Sequence, residues 1–262
     1  MRDVGLLAPD AVARRLDRES FLLLGGVAAT LLQVAHPLVA AGVSEHSDFR
    51  RDPLGRFQRT VDTSLAVVFG TTAQANASLR RVNQRHATVR GTASGGALYF
   101  ARDPALVAWV QVTLILTSLR LYELVRGPLS DSDRETYWAE ARPFAELLGA
   151  TAKALPASYD ALLRYERHML ATEVVPDATA VAVGRDVLRP WRRLPDVAYW
   201  PTDAFTAGLL PPSLRLAFGL HWRTRERLWF RFVIAALRLY VPALPRFLRF
   251  VPQARRFDAR VR

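Results

Sequence analysis

The chain carries five histidines, at positions 36, 46, 86, 168 and 221. No two stand three or four residues apart, the spacing that places two imidazoles on one helix face for a shared metal. Cysteine is absent, which removes disulfides, thiolate metal sites, cysteine nucleophiles and thiolate-ligated haem. H-E-x-x-H, a glycine-rich phosphate loop and a G-x-S-x-G elbow are absent as well. Glu123, Glu140 and Glu146 are candidates for a carboxylate-bridged metal, but no E-x-x-H accompanies them.

What remains is chemistry that a single histidine can support. His86 lies in a helical stretch with Arg80, Arg81, Arg85 and Arg90 close by. Haem needs one neutral imidazole ligand, an apolar slot between helices, and cations near its propionates, for which arginine is well suited. The plainer alternative is an ordinary histidine beside solvated arginines, and spacing alone favours it. A second cluster precedes it: Arg56, Arg59, Thr60 and Thr63 are spaced so that most share one helix face. Arginine and threonine on such a face suit hydrogen bonding to bound dioxygen or to a substrate; an exposed polar stripe is the competing reading. Asp62 points away from that face. His36, before Pro37, is either a residue reaching the same pocket or a satisfied core histidine.

The elements that must position these residues read as helices almost throughout. Asp52-Pro53 opens a helix that stops at Gly70, and Thr72 caps the next, running through His86 to Gly91. Asp103-Pro104 opens a long apolar helix closed by Gly127-Pro128. Ser130 with Asp133 caps a helix to Leu148, and another covers Ser158 to Ala171. Prolines at 176, 190, 195, 201, 211 and 212 then divide the chain, and a last helical region begins near Ser213. Phe21 to Val43 has no charge, yet Gln33, His36 and Pro37 favour a buried helix ending near Pro37 over a membrane span. Strand signals are weak. The expectation is an all-α fold, one domain over 1–262 with eight or more helices around a central haem pocket. Half the residues are apolar, enough for one core of this size.

Several runs together resemble one bacterial and fungal family. They are Gln33-Val-Ala-His36-Pro37, Glu45-His46-Ser47-Asp48-Phe49, Arg56-Phe-Gln-Arg59-Thr60, Val82-Asn-Gln-Arg-His86-Ala-Thr-Val-Arg-Gly91, Tyr99-Phe-Ala-Arg-Asp-Pro104, and Tyr137-Trp-Ala-Glu140 through Leu147-Leu-Gly149. The family, once grouped as a domain of unknown function (DUF2236), includes rubber oxygenase (latex clearing protein) and the fungal MpaB-type oxygenase of mycophenolic acid biosynthesis. The resemblance covers about 15–188. It implies a haem b cofactor with His86 as the iron ligand, and Arg56, Arg59 and Thr60 in place of the pattern R-x-x-K-T on the opposite haem face. It also implies oxidative cleavage of a carbon–carbon double bond by dioxygen in a hydrophobic small-molecule or polyisoprenoid substrate. The chain departs from the pattern at Arg59, which cannot lose its proton and ligate iron as lysine can. Where many relatives carry a histidine after Trp-Val, this chain reads Trp109-Val110-Gln111.

The net charge of +12 is concentrated late in the chain. From His221 to Arg262 eleven arginines stand against Glu226 and Asp258, interleaved with aromatic residues. This arginine-rich tail, 221–262, suits peripheral contact with an anionic membrane, or else a core-packing helix with solvated arginines. Nucleic-acid binding is not expected, because no recognised motif accompanies the charge. The start, Met1 to Glu19, is too charged for a secretory signal, so a cytoplasmic, membrane-peripheral location is expected. A non-catalytic haem- or lipid-binding protein, or a membrane-peripheral structural protein without cofactor, are the alternatives to an oxygenase.

Overall fold

The computed structural model describes residues 3–47, 53–191 and 193–261, without the side chains of residues 53, 54 and 56. The described chain is all-α apart from one small hairpin. Helix α1 spans Val12–Asp17, α2 Gly26–Val34, α3 Pro37–His46, α4 Pro53–Phe69 and α5 Thr72–His86. After the hairpin β1 (Arg90–Thr92) and β2 (Leu98–Phe100) come α6 (Pro104–Arg126), α7 (Asp131–Leu147), α8 (Tyr159–Thr172) and α9 (Ala178–Leu188). The last third holds α10 (Trp200–Leu209), α11 (Pro212–Ala217), α12 (Thr224–Tyr240), α13 (Arg246–Arg249) and α14 (Pro252–Val261).

Helix starts follow local side-chain chemistry. Asp103, Ser130, Ser158 and Asp177 each accept a backbone N–H of the first turn of the helix they precede. Thr71, one residue before the expected cap, accepts from Gln74 N and so starts α5. Gly127 (φ 93°) and Gly149 (φ 111°) take the left-handed conformation after α6 and α7, where a side chain would be strained. The apolar run from Phe21 to Val43 does end its helix before Pro37: α2 stops at Val34, and the chain bends by 107° into α3.

The spine is α6. It is long and apolar enough to cross a membrane by composition, but most of its apolar stretch is buried inside the fold. Val112, Leu116 and Leu119 face one core cluster, shared with α1, α4, α5, α7 and α14. Trp109 faces a second, shared with α2, α9, α10 and α11, and its Nε1 donates to the Leu32 carbonyl at 3.1 Å. Fully burying an indole is favourable only when that N–H finds an acceptor, and here the α2 backbone supplies it.

One expectation is corrected at the end of α5. The helix stops at His86 instead of continuing to Gly91, because Val89 N turns back to the His86 carbonyl at 3.3 Å. The chain then extends, pairing Arg90 with Phe100, Gly91 with Tyr99 and Thr92 with Leu98, antiparallel. Strands of three residues carry too little alternation to be seen in sequence.

Candidate functional site

Helices α4 and α5 are joined by only Gly70 and Thr71 and pack against each other as a helical hairpin. This topology settles which sequence candidates share an end. Positions 56 to 60 lie roughly 14 to 20 Å from the turn along α4, and His86 about 21 Å along α5, at about 1.5 Å per residue. The Arg56–Arg59–Thr60 cluster and His86 therefore occupy the same open end of the hairpin.

On α5, Ala75 and Leu79 are buried, and Val82 and His86 half-buried. Their offsets of four, three and four trace one inward face, so His86 closes a core-facing stripe while Arg80, Arg81 and Arg85 are exposed. Asn83, on the flank of this stripe, donates through Nδ2 to the Leu147 carbonyl at 2.8 Å and ties α5 to the end of α7. Arg59 and Thr60 are exposed and Thr63 is half-buried. The side chain of Arg56 lies outside the described residues, as do Asp48 and Phe49. Asp62 faces away, accepting from Gln253 Nε2 of α14 at 3.2 Å. At the start of α4, Phe57 presses on Gly26, where an added Cβ would stand 2.2 Å from the ring, so α2 and α4 approach only because residue 26 is glycine.

His36 also has a structural task. Its backbone is extended, and its Nδ1 accepts the N–H of Leu38 at 3.2 Å, capping α3. That bond leaves the proton of the neutral ring on Nε2. The imidazole is buried, and desolvation holds its pKa below the ordinary histidine range.

The sequence pattern assigns no role to a third group, although it lies within the motifs that carry the resemblance. Tyr99 is buried and donates to Glu45 Oε2 at 2.5 Å, while His46 Nε2 stands 3.1 Å from the same hydroxyl and 3.2 Å from the Arg90 carbonyl. Burial first, then the Glu45 carboxylate, push the Tyr99 phenol up to about 12. Glu45, His46 and Tyr99 thus pin the hairpin that follows His86 onto the end of α3. Gly91 permits the approach: an added Cβ would stand 2.5 Å from the Tyr99 hydroxyl and 2.8 Å from Glu45 Oε2. The signal available in the sequence is the grouping of polar residues in two short motifs; their meeting, across 54 positions, is not legible there.

The glutamates weighed for a carboxylate-bridged metal are engaged apart. Glu140 accepts the N–H groups of Val12 and Ala13 at 3.1 and 2.7 Å, and Glu123 accepts from Leu129 N and Arg134. Among the described residues no three His, Asp or Glu side chains converge as a metal cage. Haem asks the protein for one imidazole and brings the rest of its coordination with it, and His86, half-buried at the end of the inward face of α5, is a residue that could supply that imidazole. Two surface clefts, of about 410 and 610 Å3, lie elsewhere, between α6, α10 and α12 and between α6, α7 and α8.

Comparison with known proteins identifies the family of the chain. Two uncharacterised proteins, one of Mycobacterium bovis and one of Mycobacterium tuberculosis, are each 28% identical to this chain over 251 residues, covering 90% of it and 95% of the relative. The profile described as "ER-bound oxygenase mpaB/B'/Rubber oxygenase, catalytic domain" matches residues 13–239, well past the 15–188 covered by the motifs. The match takes in α1 to α12 almost whole, including the α4–α5 hairpin and its candidate residues, and the chain belongs to this family of oxygenase catalytic domains.

Proposed function

We propose that the chain is a haem b-dependent oxygenase that uses dioxygen to cleave a carbon–carbon double bond in a hydrophobic, isoprenoid-like substrate. The observation that carries the reading is the placement of His86. It is the residue that closes the inward stripe of α5, at the end of the hairpin where α4 presents Arg59 and Thr60. Family membership supports oxygenase chemistry, and the half-buried imidazole of His86 supports a haem ligand there.

In this reading His86 supplies the imidazole nitrogen that holds the iron. When bound, the haem supplies dioxygen activation. Arg56, Arg59 and Thr60 would donate hydrogen bonds to dioxygen or substrate held at this end of the hairpin, and the positive charge of Arg59 would favour negative charge that develops beside it. Because Arg59 keeps its proton, it serves as a donor and not as a ligand. His36, neutral and with its proton on Nε2, is a further donor beside the α2–α3 bend. The reaction consumes one dioxygen per double bond and leaves one oxygen atom in each of two carbonyl products, so no external reductant enters the balance.

The test is oxygen uptake by haem-loaded chain supplied with a polyisoprenoid, with the carbonyl ends of the products trapped and counted. The reading expects uptake to match carbonyl formation and to vanish in Thr60→Val/Arg59→Ala and in His86→Ala. Haem retained through His86 with no uptake on any alkene would leave a non-catalytic haem carrier instead.

A further inference from the structure

The last third of the chain does two separate things. Helix α14 packs inward: Ala254 and Phe257 are buried, as is Val251 just before the helix, Arg14 stacks over Phe257, and Arg260 reaches the Phe69 carbonyl at 3.0 Å. Helix α12 is apolar on two opposite faces. One face sends Phe230, Ile234 and Leu237 into the core beside Phe205 and Leu209. The other carries Leu228, Phe232, Ala235 and Leu239 at offsets of four, three and four, a continuous stripe directly opposite the core. Leu228 is 58% exposed, Phe232 62% and Leu239 68%. Beyond the helix Phe247 and Leu248 are exposed as well.

Charge decides what fits this stripe. The one acid of α12, Glu226, is buried and turned inward, accepting from Trp200 Nε1 at 2.9 Å and Arg223 N at 2.9 Å. Every charged residue left along the outer side is an arginine: Arg225, Arg227, Arg231 and Arg238. At one end the stripe runs into an aromatic ladder. Phe232 lies 5.7 Å from Trp229, Trp229 lies 5.7 Å from Trp200, and Arg225 caps Trp200 at 3.9 Å. A lipid interface wants an apolar strip one side chain deep, arginines beside it whose stems lie along the apolar surface, and tryptophans at its edge.

We infer that the outer face of α12 docks this protein onto an anionic lipid bilayer, with Leu228, Phe232 and Leu239 entering the headgroup–acyl boundary and the flanking arginines meeting lipid phosphates. A second copy of the chain fits poorly, because pairing two such faces sets arginine against arginine on molecules that each carry +12. A nucleic acid fits poorly too, since the centre of the face is apolar and offers phosphates no partner. The surface stands on its own geometry, independently of the haem reading.

Sedimentation of the full chain with phosphatidylglycerol–phosphatidylcholine vesicles, and with phosphatidylcholine vesicles alone, tests this. Binding to the anionic vesicles is expected, weakening with salt. Phe232→Ser/Leu239→Ser should weaken it by about tenfold or more through lost apolar insertion. Arg227→Gln/Arg231→Gln should weaken it on anionic vesicles only. These side chains are exposed, so both variants should melt with the wild type, which separates lost docking from lost folding. No binding to anionic vesicles, or binding by both variants equal to that of the wild type, overturns the inference. So does a dimer in light scattering that Phe232→Ser/Leu239→Ser converts to monomer without any effect on vesicles.

Discussion

Replacing Asp17 by asparagine should make the protein more stable at pH 8 and leave it nearly unchanged at pH 4.5. Asp17 closes α1, and Tyr137 of α7 donates its hydroxyl to Asp17 Oδ1 at 2.7 Å. The residue as a whole is half-buried, but its carboxyl turns inward onto Tyr137, itself only 2% exposed. Desolvation pushes the carboxyl from the ordinary 3.8 up to about 7; the Tyr137 bond opposes this and nearby Glu140 reinforces it. Between those two values the folded chain holds a proton that the unfolded chain has released, so stability falls as pH rises from about 4 to 7 and is level above. A difference of that size corresponds to about 4 kcal/mol. Solvent reaching the exposed side of the residue screens part of it, and about 2 kcal/mol is the expected gain from Asp17→Asn at pH 8. The amide oxygen still accepts from Tyr137, so the shared hydrogen bond survives. Urea denaturation followed by circular dichroism at the two pH values measures the effect. A variant equally destabilised at both, or a gain independent of pH, would refute the argument that the carboxyl ionises at a cost in the folded state.

Three further outcomes follow from the same geometry. Gly91→Ala drives a methyl against the Tyr99 hydroxyl and Glu45, and should lower stability by about 1–3 kcal/mol in thermal melts; an unchanged melt contradicts the pinned hairpin. Arg249→Ala leaves Glu19, only 3% exposed, without its guanidinium and should cost about 3 kcal/mol in urea, whereas Arg246→Ala, at a side chain 61% exposed, should cost about 1 kcal/mol or less. Arg59→Lys introduces an amine that can lose its proton, so the haem-loaded variant should show a shifted resting ferric spectrum toward low spin; an identical spectrum places position 59 out of reach of the iron.

Much of the fold is legible in the sequence because its signals are local. Asp103-Pro104, Ser130 and Ser158 start helices through bonds spanning two or three residues, and Gly127 and Gly149 end them through their own backbone freedom. The helix that carries His86 is equally local, but spacing alone favours an ordinary histidine there, and its place at the end of the inward stripe of α5 shows only in the fold. What is not legible depends on partners distant in sequence. The Glu19–Arg249 ion pair spans 230 positions, and the Glu45–Tyr99 bond 54. His36 is open in the sequence between a pocket residue and a satisfied core histidine, and its capping bond from the Leu38 N–H shows only in the fold. The tail misleads in another way. Both faces of α12 are apolar, so periodicity reports an amphipathic helix without saying which face the core takes.

The central claim is that His86 holds a haem iron. The visible absorption spectrum of the chain, purified after expression with haem supply and compared with His86→Ala, tests it most directly. The account predicts a haem band in the wild type at about one haem per chain, lost in a His86→Ala protein that remains folded. A folded wild type that stays colourless with added haemin, or a band undiminished in His86→Ala, would contradict it.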